Sequence, residues 1–241
     1  MVRPKRSKQH PDLGTAIKEV AGKQIAENGA PALSLRAIGR ELKITAPAIY
    51  NYFPSRDALV TALIVDAYLS LAAALIESQE TGEESHAARL IASAHAYRGW
   101  ALDHPEEYGL IFGTPIPGYE APMEITGPAA AESMAVLIQV LDAAYQDGAL
   151  SLAEPSPALL TLLGPWVDKL EYAGPPTIIH LALASWALIH GLVSLELFGH
   201  LAPAPEYGEV DPLFEAEIQA MVERMEIEQK GIKYADRSND E

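Results

Sequence analysis

Three side chains within one short stretch of this chain could bind a nucleic acid. The Tyr50 hydroxyl can donate to a phosphate oxygen, and the Asn51 amide matches the donor and acceptor pattern of adenine in the major groove. The Arg56 guanidinium suits phosphate, because two of its N–H groups can bind two phosphate oxygens together. The nearby Thr45 hydroxyl could reach a phosphate or a base edge. This combination predicts contact with duplex DNA.

A short helix must carry these groups, and the residues around them predict one. Thr45 is a favourable N-cap, and Pro47 falls in the first helical turn, where its missing N–H costs little. The helical repeat places Ile49 and Phe53 on the inward face, packed on the other helices of the same region. The outward face comprises Ala46, Pro47, Tyr50 and Asn51. The apolar members of this face could contact a thymine methyl group.

A second short helix comes just before this one. Ser34 is a good N-cap for it, and Leu35, Ile38 and Leu42 form its inner face. A longer amphipathic helix, expected to end at Asn28-Gly29, precedes both. The two short helices predict a helix-turn-helix, in which the second helix lies in the major groove.

A further helix begins directly after the aromatic cluster. Ser55 is its expected N-cap, and Asp57 in its first turn is favoured by the helix dipole. We expect its free N–H groups, together with Tyr52 and Arg56, to clamp phosphate. The predicted DNA-contacting residues are Ser34, Leu35, Arg36, Lys43, Thr45, Ala46, Pro47, Tyr50, Asn51, Tyr52 and Arg56.

Charge is divided unevenly along the chain. The formal net charge is −16, yet residues 1–56 contain ten Lys and Arg against four Asp and Glu, and the other 185 residues contain seven against 29. Such a division attracts one end of the molecule to phosphate and keeps the other end away from it. Arg3, Lys5, Arg6 and Lys8 form a basic arm that could enter a minor groove.

Nearly every periodic segment has helical spacing, and none alternates convincingly as a strand, which predicts an all-α fold. Further helices are expected at 55–78, 84–103, 105–112, 129–147, 156–172, 177–198 and 211–228. A Pro- and Gly-rich loop is expected at 113–128, and an interruption at Gly164-Pro165. We predict an arm and helix-turn-helix domain at 1–54, a ligand-binding and dimerisation domain at 55–228, and a polar tail at 229–241.

The run of 24 uncharged residues from Tyr172 to Leu195 is long enough to span a bilayer. It starts with Gly and Pro residues and contains His180, Ser185 and His190, which favours a helix buried in protein.

The basic N-terminal segment has no apolar region after it, so we expect no secretory signal. The chain has no cysteine, which excludes disulfides and thiolate metal sites. We therefore expect a cytoplasmic protein without a membrane partner.

The acidic part of the chain suggests two tasks. The helix at 177–198 is apolar nearly all round, and a second copy could cover it by packing this helix and 211–228 into a four-helix bundle. Aromatic residues in the middle helices predict a mostly apolar small-molecule pocket, with the 113–128 loop as its lid. The alternative is that they are ordinary core residues. The expected ligand-binding residues are Trp100, Tyr108, Phe112, Met134, Trp166, Trp186 and His190.

The segment from Ser34 to Leu59 resembles the N-terminal domain of TetR-family transcriptional regulators. Its Ile-Tyr-x-Tyr-Phe-Pro-Ser-Arg-Asp-x-Leu portion is highly specific for that family. The segment from Trp186 to Glu196 is similar to the Trp-His-Gly (WHG) signature of one C-terminal ligand-binding subtype. The resemblance implies an all-helical homodimeric repressor that leaves its operator when a small molecule binds the C-terminal domain. Lys43 stands where the family usually has Gly, so it must adopt the turn conformation at some cost.

Two other classes of function are open. The chain could be a helical enzyme or small-molecule-binding protein with no role on DNA, or a DNA-binding activator or architectural protein with no effector. The sequence contains no paired carboxylates, nucleophile elbow, phosphate loop or His-x-x-x-His spacing, so we expect no catalytic residue, metal or cofactor. The favoured prediction is a repressor released from a palindromic operator by an apolar or aromatic small molecule, with double-stranded DNA, that effector and a second copy as partners.

Overall fold

The structure is a computed structural model, and it describes residues 12–80, 85–201 and 212–227. All regular secondary structure in these ranges is helical, which confirms the predicted all-α fold. The α-helices are α1 (Leu13–Asn28), α2 (Leu35–Glu41), α3 (Ala46–Tyr50), α4 (Arg56–Glu77), α5 (His86–Asp103), α6 (Pro105–Phe112), α7 (Met123–Gln146), α8 (Pro157–Leu170), α9 (Pro176–Leu197) and α10 (Pro212–Arg224). The predicted basic arm and the tail at 229–241 lie outside the described residues.

The chain forms two compact units. The first unit lies within Met1–Ser70 and Asp103–Ala130, and the second within Leu71–Leu102 and Ala131–Glu241. The divisions fall inside long helices such as α4 and α7, so a unit is not a continuous stretch of chain. Functional domains need not coincide with such packing units, and the limits expected at 54/55 and 228/229 stay a prediction.

Local capping explains where α1 begins and ends. The Asp12 carboxylate accepts hydrogen bonds from the Thr15 backbone N–H (3.1 Å) and hydroxyl (2.7 Å). These bonds lower the pKa of the Asp12 carboxyl. At the other end, Gly29 has a φ of 76°, and its N–H donates to the Ile25 carbonyl. The helix therefore stops at Asn28, as predicted.

The turn between α2 and α3 is tight. Lys43 has a φ of 55°, in the left-handed region that favours glycine, as predicted. The Ile44 N–H donates to the Gly39 carbonyl at 2.9 Å, and a Cβ on Gly39 would lie 3.3 Å from the Ile44 carbonyl oxygen. This close approach leaves little room for a side chain at position 39.

The helices of the first unit share one hydrophobic core. Ile17 of α1, Ile38 of α2 and Ile49 of α3 are fully buried in it, and Phe53 packs against it. The inward direction predicted for Ile49 and Phe53 is confirmed. Ile116, from the chain between α6 and α7, belongs to the same core. Burial of these apolar groups fixes the orientation of α3.

The expectation of a loop reaching Pro128 is wrong. Helix α7 begins at Met123 and contains Pro128 at its sixth position. The first four N–H groups of a helix have no partner within it, so Pro128 removes only one early hydrogen bond. The Pro122 carbonyl accepts from the Thr126 N–H (3.0 Å) and hydroxyl (3.2 Å), which holds the first turn together.

The expected interruption at Gly164-Pro165 is also wrong, because α8 is helical through both residues. Ser156 caps this helix, accepting from the Leu159 N–H at 3.3 Å, and Pro157 occupies its first position. The helix packs against α9. Burial between these helices can offset the cost of a proline in a helix interior, about 3 kcal/mol.

A buried ion pair links helices of the second unit. Arg98 of α5 donates to both carboxylate oxygens of Glu196 of α9, at 2.8 and 2.5 Å. The Arg98 guanidinium also lies 5.6 Å from the centre of the Phe214 ring, which is buried. His95 and Glu215 form a second contact between α5 and α10, at 3.1 Å.

Two helical segments, Arg56–Glu80 and Pro176–Leu197, are long and apolar enough to cross a membrane by length and composition. In the most apolar window of each segment, 44% and 33% of residues are buried inside this single chain. Core helices of globular proteins pass the same test. The segment Pro176–Leu197 is more apolar than its burial in one copy explains.

Candidate nucleic-acid interface

The outer face of α3 is open to solvent. Thr45, Ala46, Pro47 and Asn51 are exposed, and the Tyr50 side chain is 51% exposed, whereas Ile49 on the opposite face is fully buried. Thr45 occupies the N-cap position, but its hydroxyl makes no capping hydrogen bond. The expected Thr45 side-chain cap is therefore absent. The arrangement presents a hydroxyl, a phenol and an amide beside two small apolar groups.

Tyr52 extends this face towards α1. Its ring is 52% exposed, and a ring carbon lies 3.3 Å from the point where a Cβ on Gly14 would be. Gly14 therefore leaves room for the Tyr52 ring. The Tyr52 position depends on α1, a dependence that the local sequence around α3 does not reveal.

Arg56 is used differently from the expectation. Its Nη2 donates to the Ala30 carbonyl at 2.9 Å, and its Nε donates to the Leu33 carbonyl at 3.3 Å. A longer bond of 3.4 Å reaches the Pro31 carbonyl. These carbonyls belong to the short connection between α1 and α2. Arg56 thus holds the start of the helix-turn-helix in place, and a role on phosphate stays a prediction.

The remaining predicted contact residues divide into exposed and structural ones. Arg36 and Lys43 are exposed. Ser34 caps α2 by accepting from the Ala37 N–H at 3.4 Å, and its own N–H donates to the Gln24 side-chain oxygen at 3.1 Å. Leu35 is half-buried against the core. Ser34 and Leu35 therefore position α2 rather than offer a free polar group.

One exposed cation was missed by the sequence reasoning. Arg40 is exposed and lies four residues after Arg36 on α2, so both side chains share one face of that helix. The spacing of these two arginines was the available signal. Such a pair adds positive charge beside the α2–α3 turn.

The predicted ligand-binding residues of the second unit form a partial cluster. The Tyr97 hydroxyl and His190 Nδ1 are 3.0 Å apart, and the Trp186 and His190 rings are stacked with centres 5.0 Å apart. Ser194 Oγ lies 3.4 Å from His190 Nε2. Burial lowers the pKa of the His190 imidazole, so the ring is neutral at neutral pH. His190 is thus a half-buried, hydrogen-bonded histidine, and its expected role in ligand binding stays a prediction.

A cavity of only about 20 Å³ lies beside this cluster, lined in part by Met134 and Trp186. Trp100 is buried. Trp166, in contrast, is 39% exposed, with the Lys169 ammonium 5.8 Å from its ring centre. The structure therefore brings Met134, Trp186 and His190 together, but the side chain of Trp166 does not line this cavity.

Tyr108 and Phe112 belong to the first unit. Tyr108 is fully buried, and its ring centre lies 5.1 Å from that of Phe112. Phe112 also makes an edge contact with Tyr68, at 5.9 Å between ring centres. The seven residues expected from the sequence to bind ligand are thus divided between the two units. In the described part of the chain, no group of three or more His, Asp or Glu side chains could hold a metal ion.

Helices α1–α3 and the exposed outer face of α3 define a helix-turn-helix protein. Comparisons with known proteins agree with this class. Residues 17–63 match the model described as bacterial regulatory proteins, tetR family, and residues 90–221 match a tetracyclin repressor-like C-terminal domain. The chain belongs to the TetR family and is a DNA-binding transcriptional regulator.

Individual relatives cover nearly the whole chain. It is 32% identical over 227 residues to the HTH-type transcriptional regulator Rv1816 of Mycobacterium tuberculosis, covering 90% of this chain and 94% of that protein. The crystal structure of SCO4313 is similar with a TM-score of 0.71 and 38% identity, covering 91% of this chain and 98% of that one. A TetR variant of Acinetobacter baumannii AYE in complex with minocycline shares the fold alone, at 19% identity and a TM-score of 0.53, covering 89% and 96% of the two chains.

Proposed function

We propose that this regulator is a cytoplasmic homodimeric repressor without catalytic activity. It binds a palindromic operator through the outer face of α3 and leaves it when an apolar or aromatic small molecule binds. The observation that carries the DNA-binding part is the contrast within α3 between fully buried Ile49 and half-exposed Tyr50, with Asn51 also exposed. A helix held by its inner face, with polar groups outward, suits insertion into a major groove.

Exposed apolar side chains support the homodimer. On α8, Leu162 is 68% exposed and Leu160 and Trp166 are also exposed, and on α9, Leu195 is exposed. Exposed apolar side chains on two helices that pack together are typical of a protein interface. Their position favours α8 and α9 as the helices that meet their copies across a two-fold axis. The expectation that α10 joins α9 stays a prediction, since Leu213 of α10 is exposed while Phe214 and Ile218 are buried.

The ligand response rests on family membership, whereas the stacked Trp186 and His190 rings bear on the subtype of the C-terminal domain. These residues, with Gly191, lie within the matched C-terminal region and support the WHG subtype. The adjoining cavity of about 20 Å³ holds no more than a water-sized group. An effector can enter there only if the surrounding side chains move.

Operator binding by Tyr50→Ala tests the proposal. Genome-wide footprinting of the tagged protein supplies the operator, and fluorescence anisotropy then measures affinity at several salt concentrations. We expect Tyr50→Ala to weaken binding by about 1–3 kcal/mol with an unchanged unfolding midpoint, because Tyr50 is half exposed and lies on the face proposed to contact DNA.

Tyr145→Ala is the matched control. Tyr145 is an exposed tyrosine on α7, outside the helix-turn-helix, and its removal should leave operator affinity unchanged. Parental affinity in Tyr50→Ala would show that the contact face is misplaced. Failure of the parent protein to form a salt-sensitive complex with any footprinted duplex would refute the operator-binding proposal itself.

A further inference from the structure

A second cavity, of about 330 Å³, lies entirely within the first unit. It is bounded by α4, α6, the connection at 113–122 and the first turns of α7. Ile64, Tyr68, Ile116, Tyr119 and Thr126 are among its lining residues. None of the described residues that line it is Asp, Glu, Lys, Arg or His. This volume is at the lower end of the range typical of small-molecule sites.

The connection that forms one wall is held by defined hydrogen bonds. Pro117 and Gly118, whose φ is 74°, occupy the centre of a turn in which the Tyr119 N–H donates to the Ile116 carbonyl at 3.1 Å. The Thr61 hydroxyl donates to the Asp57 carbonyl at 2.9 Å and also lies 2.9 Å from the Tyr119 hydroxyl. Because Thr61 has one hydroxyl proton, Tyr119 is the donor in the second bond.

Polar groups in this cavity are few and uncharged. Burial raises the pKa of the Tyr68 phenol, which therefore keeps its proton at neutral pH. Thr126 is buried, and its hydroxyl donates to the Pro122 carbonyl, so its oxygen can still accept a hydrogen bond. The cavity thus combines apolar walls with a small number of neutral donors and acceptors.

Two neighbouring cavities of the first unit differ in charge. One, of about 440 Å³ between α1, α4 and α6, contains the Lys18–Asp66 ion pair, with 2.6 Å between the charged atoms. The other, also of about 440 Å³, is lined in part by Asp57 and Glu120. Desolvating charged side chains costs free energy, so an apolar ligand is favoured in the uncharged cavity over either of these.

We propose that the 330 Å³ cavity is the effector site and that its ligand is an uncharged, mostly apolar molecule with one or two hydrogen-bonding groups. The inference rests on the ligand response proposed above. Ile64 and Ile116 belong both to the cavity lining and to the hydrophobic core that buries Ile49 of α3. A ligand that displaces these side chains changes the packing behind the DNA-facing helix.

The test uses full-length protein without DNA and two matched probes, 2-naphthol and the anion 2-naphthoate, in isothermal titration calorimetry at neutral pH. We expect 2-naphthol to bind at least about tenfold more tightly than 2-naphthoate. Ala130→Phe places a ring in the cavity and should weaken 2-naphthol binding at least about tenfold. Ala26→Phe occupies the charged cavity instead and should leave binding unchanged.

A second measurement does not depend on the fold of any variant. Methyl NMR of the parent protein should show 2-naphthol shifting Ile64, Ile111 and Ile116, but not Ile189 beside the 20 Å³ cavity. Shifts confined to Ile189, tighter binding of 2-naphthoate, or no binding of 2-naphthol would overturn the site. Operator binding is measured separately, so loss of this site leaves the DNA-binding proposal standing, and the reverse also holds.

Discussion

Single residues in this protein divide into those that face outward and those that hold the outward ones in place. Tyr50 and Asn51 face solvent, whereas Arg56, three residues after Phe53, turns its guanidinium onto backbone carbonyls. The sequence motif contains all of them without distinguishing these roles. Substitution of an outward-facing residue should therefore weaken DNA binding, whereas substitution of a positioning residue should lower stability.

Arg56→Ala should destabilise the first unit, because it leaves the carbonyls of Ala30 and Leu33 without their donor. From the structure we expect a loss of about 1–3 kcal/mol in the free energy of unfolding, measured by urea denaturation. Arg36→Ala, which removes an exposed arginine, is the control and should change stability little. Equal stability of the two variants would contradict the positioning role.

His190 should make the second unit sensitive to acid. Burial lowers its folded-state pKa below the ordinary histidine value of 6.5, so the unfolded chain binds a proton more readily than the folded protein. Its stabilising contribution is therefore complete above pH 6.5 and falls as the pH drops from there towards the folded-state pKa. NMR titration of the imidazole should show a pKa below 6.5, and a value at or above 6.5 would refute the assignment.

The limits of some helices follow from neighbouring residues in the chain, whereas the limits of others depend on further interactions. Capping groups explain both limits of α1 and the start of α2. Gly29 and Ser34 were predicted from the sequence, whereas the Asp12 cap was not. The start of α7 at Met123 and the continuity of α8 through Pro165 were not predicted from the sequence. The first is accompanied by hydrogen bonds to the Pro122 carbonyl and the second by packing of α8 on α9, and helical periodicity measures neither.

The α2–α3 turn offers a prediction for an element. Lys43→Gly should stabilise the protein by up to about 1 kcal/mol, because glycine adopts the φ of 55° without steric cost. Lys23→Gly, at an exposed position inside α1, should instead destabilise by about 0.5–1 kcal/mol. Chemical denaturation measures both. The same sign of change in the two variants would contradict strain at Lys43.

The whole molecule combines a basic end with an acidic remainder and an uncovered apolar surface. Residues 1–56 carry a positive net charge, so operator binding should weaken as salt rises. The exposed apolar side chains of α8 and α9 belong to the second unit. The two features separate the proposed DNA contact from the proposed subunit contact along the chain.

Leu162→Glu should convert the homodimer into a monomer, because it places a charge in the proposed α8–α9 interface. Sedimentation velocity measures the mass of each species. Leu69→Glu, at an exposed leucine of α4, is the control and should leave the dimer intact. A dimeric Leu162→Glu protein with parental stability would exclude α8 from the interface.

Residue spacing alone determined the helical class, the position of the helix-turn-helix and the buried side of α3. These follow from periodicity and capping, which act over a few residues. Only the tertiary structure decided that Arg56 binds backbone carbonyls, that Tyr108 and Trp186 fall in different units, and that an uncharged cavity adjoins Ile116. These depend on which distant segments pack together, because a side chain's partners are set by the whole hydrophobic core and not by its neighbours in the chain.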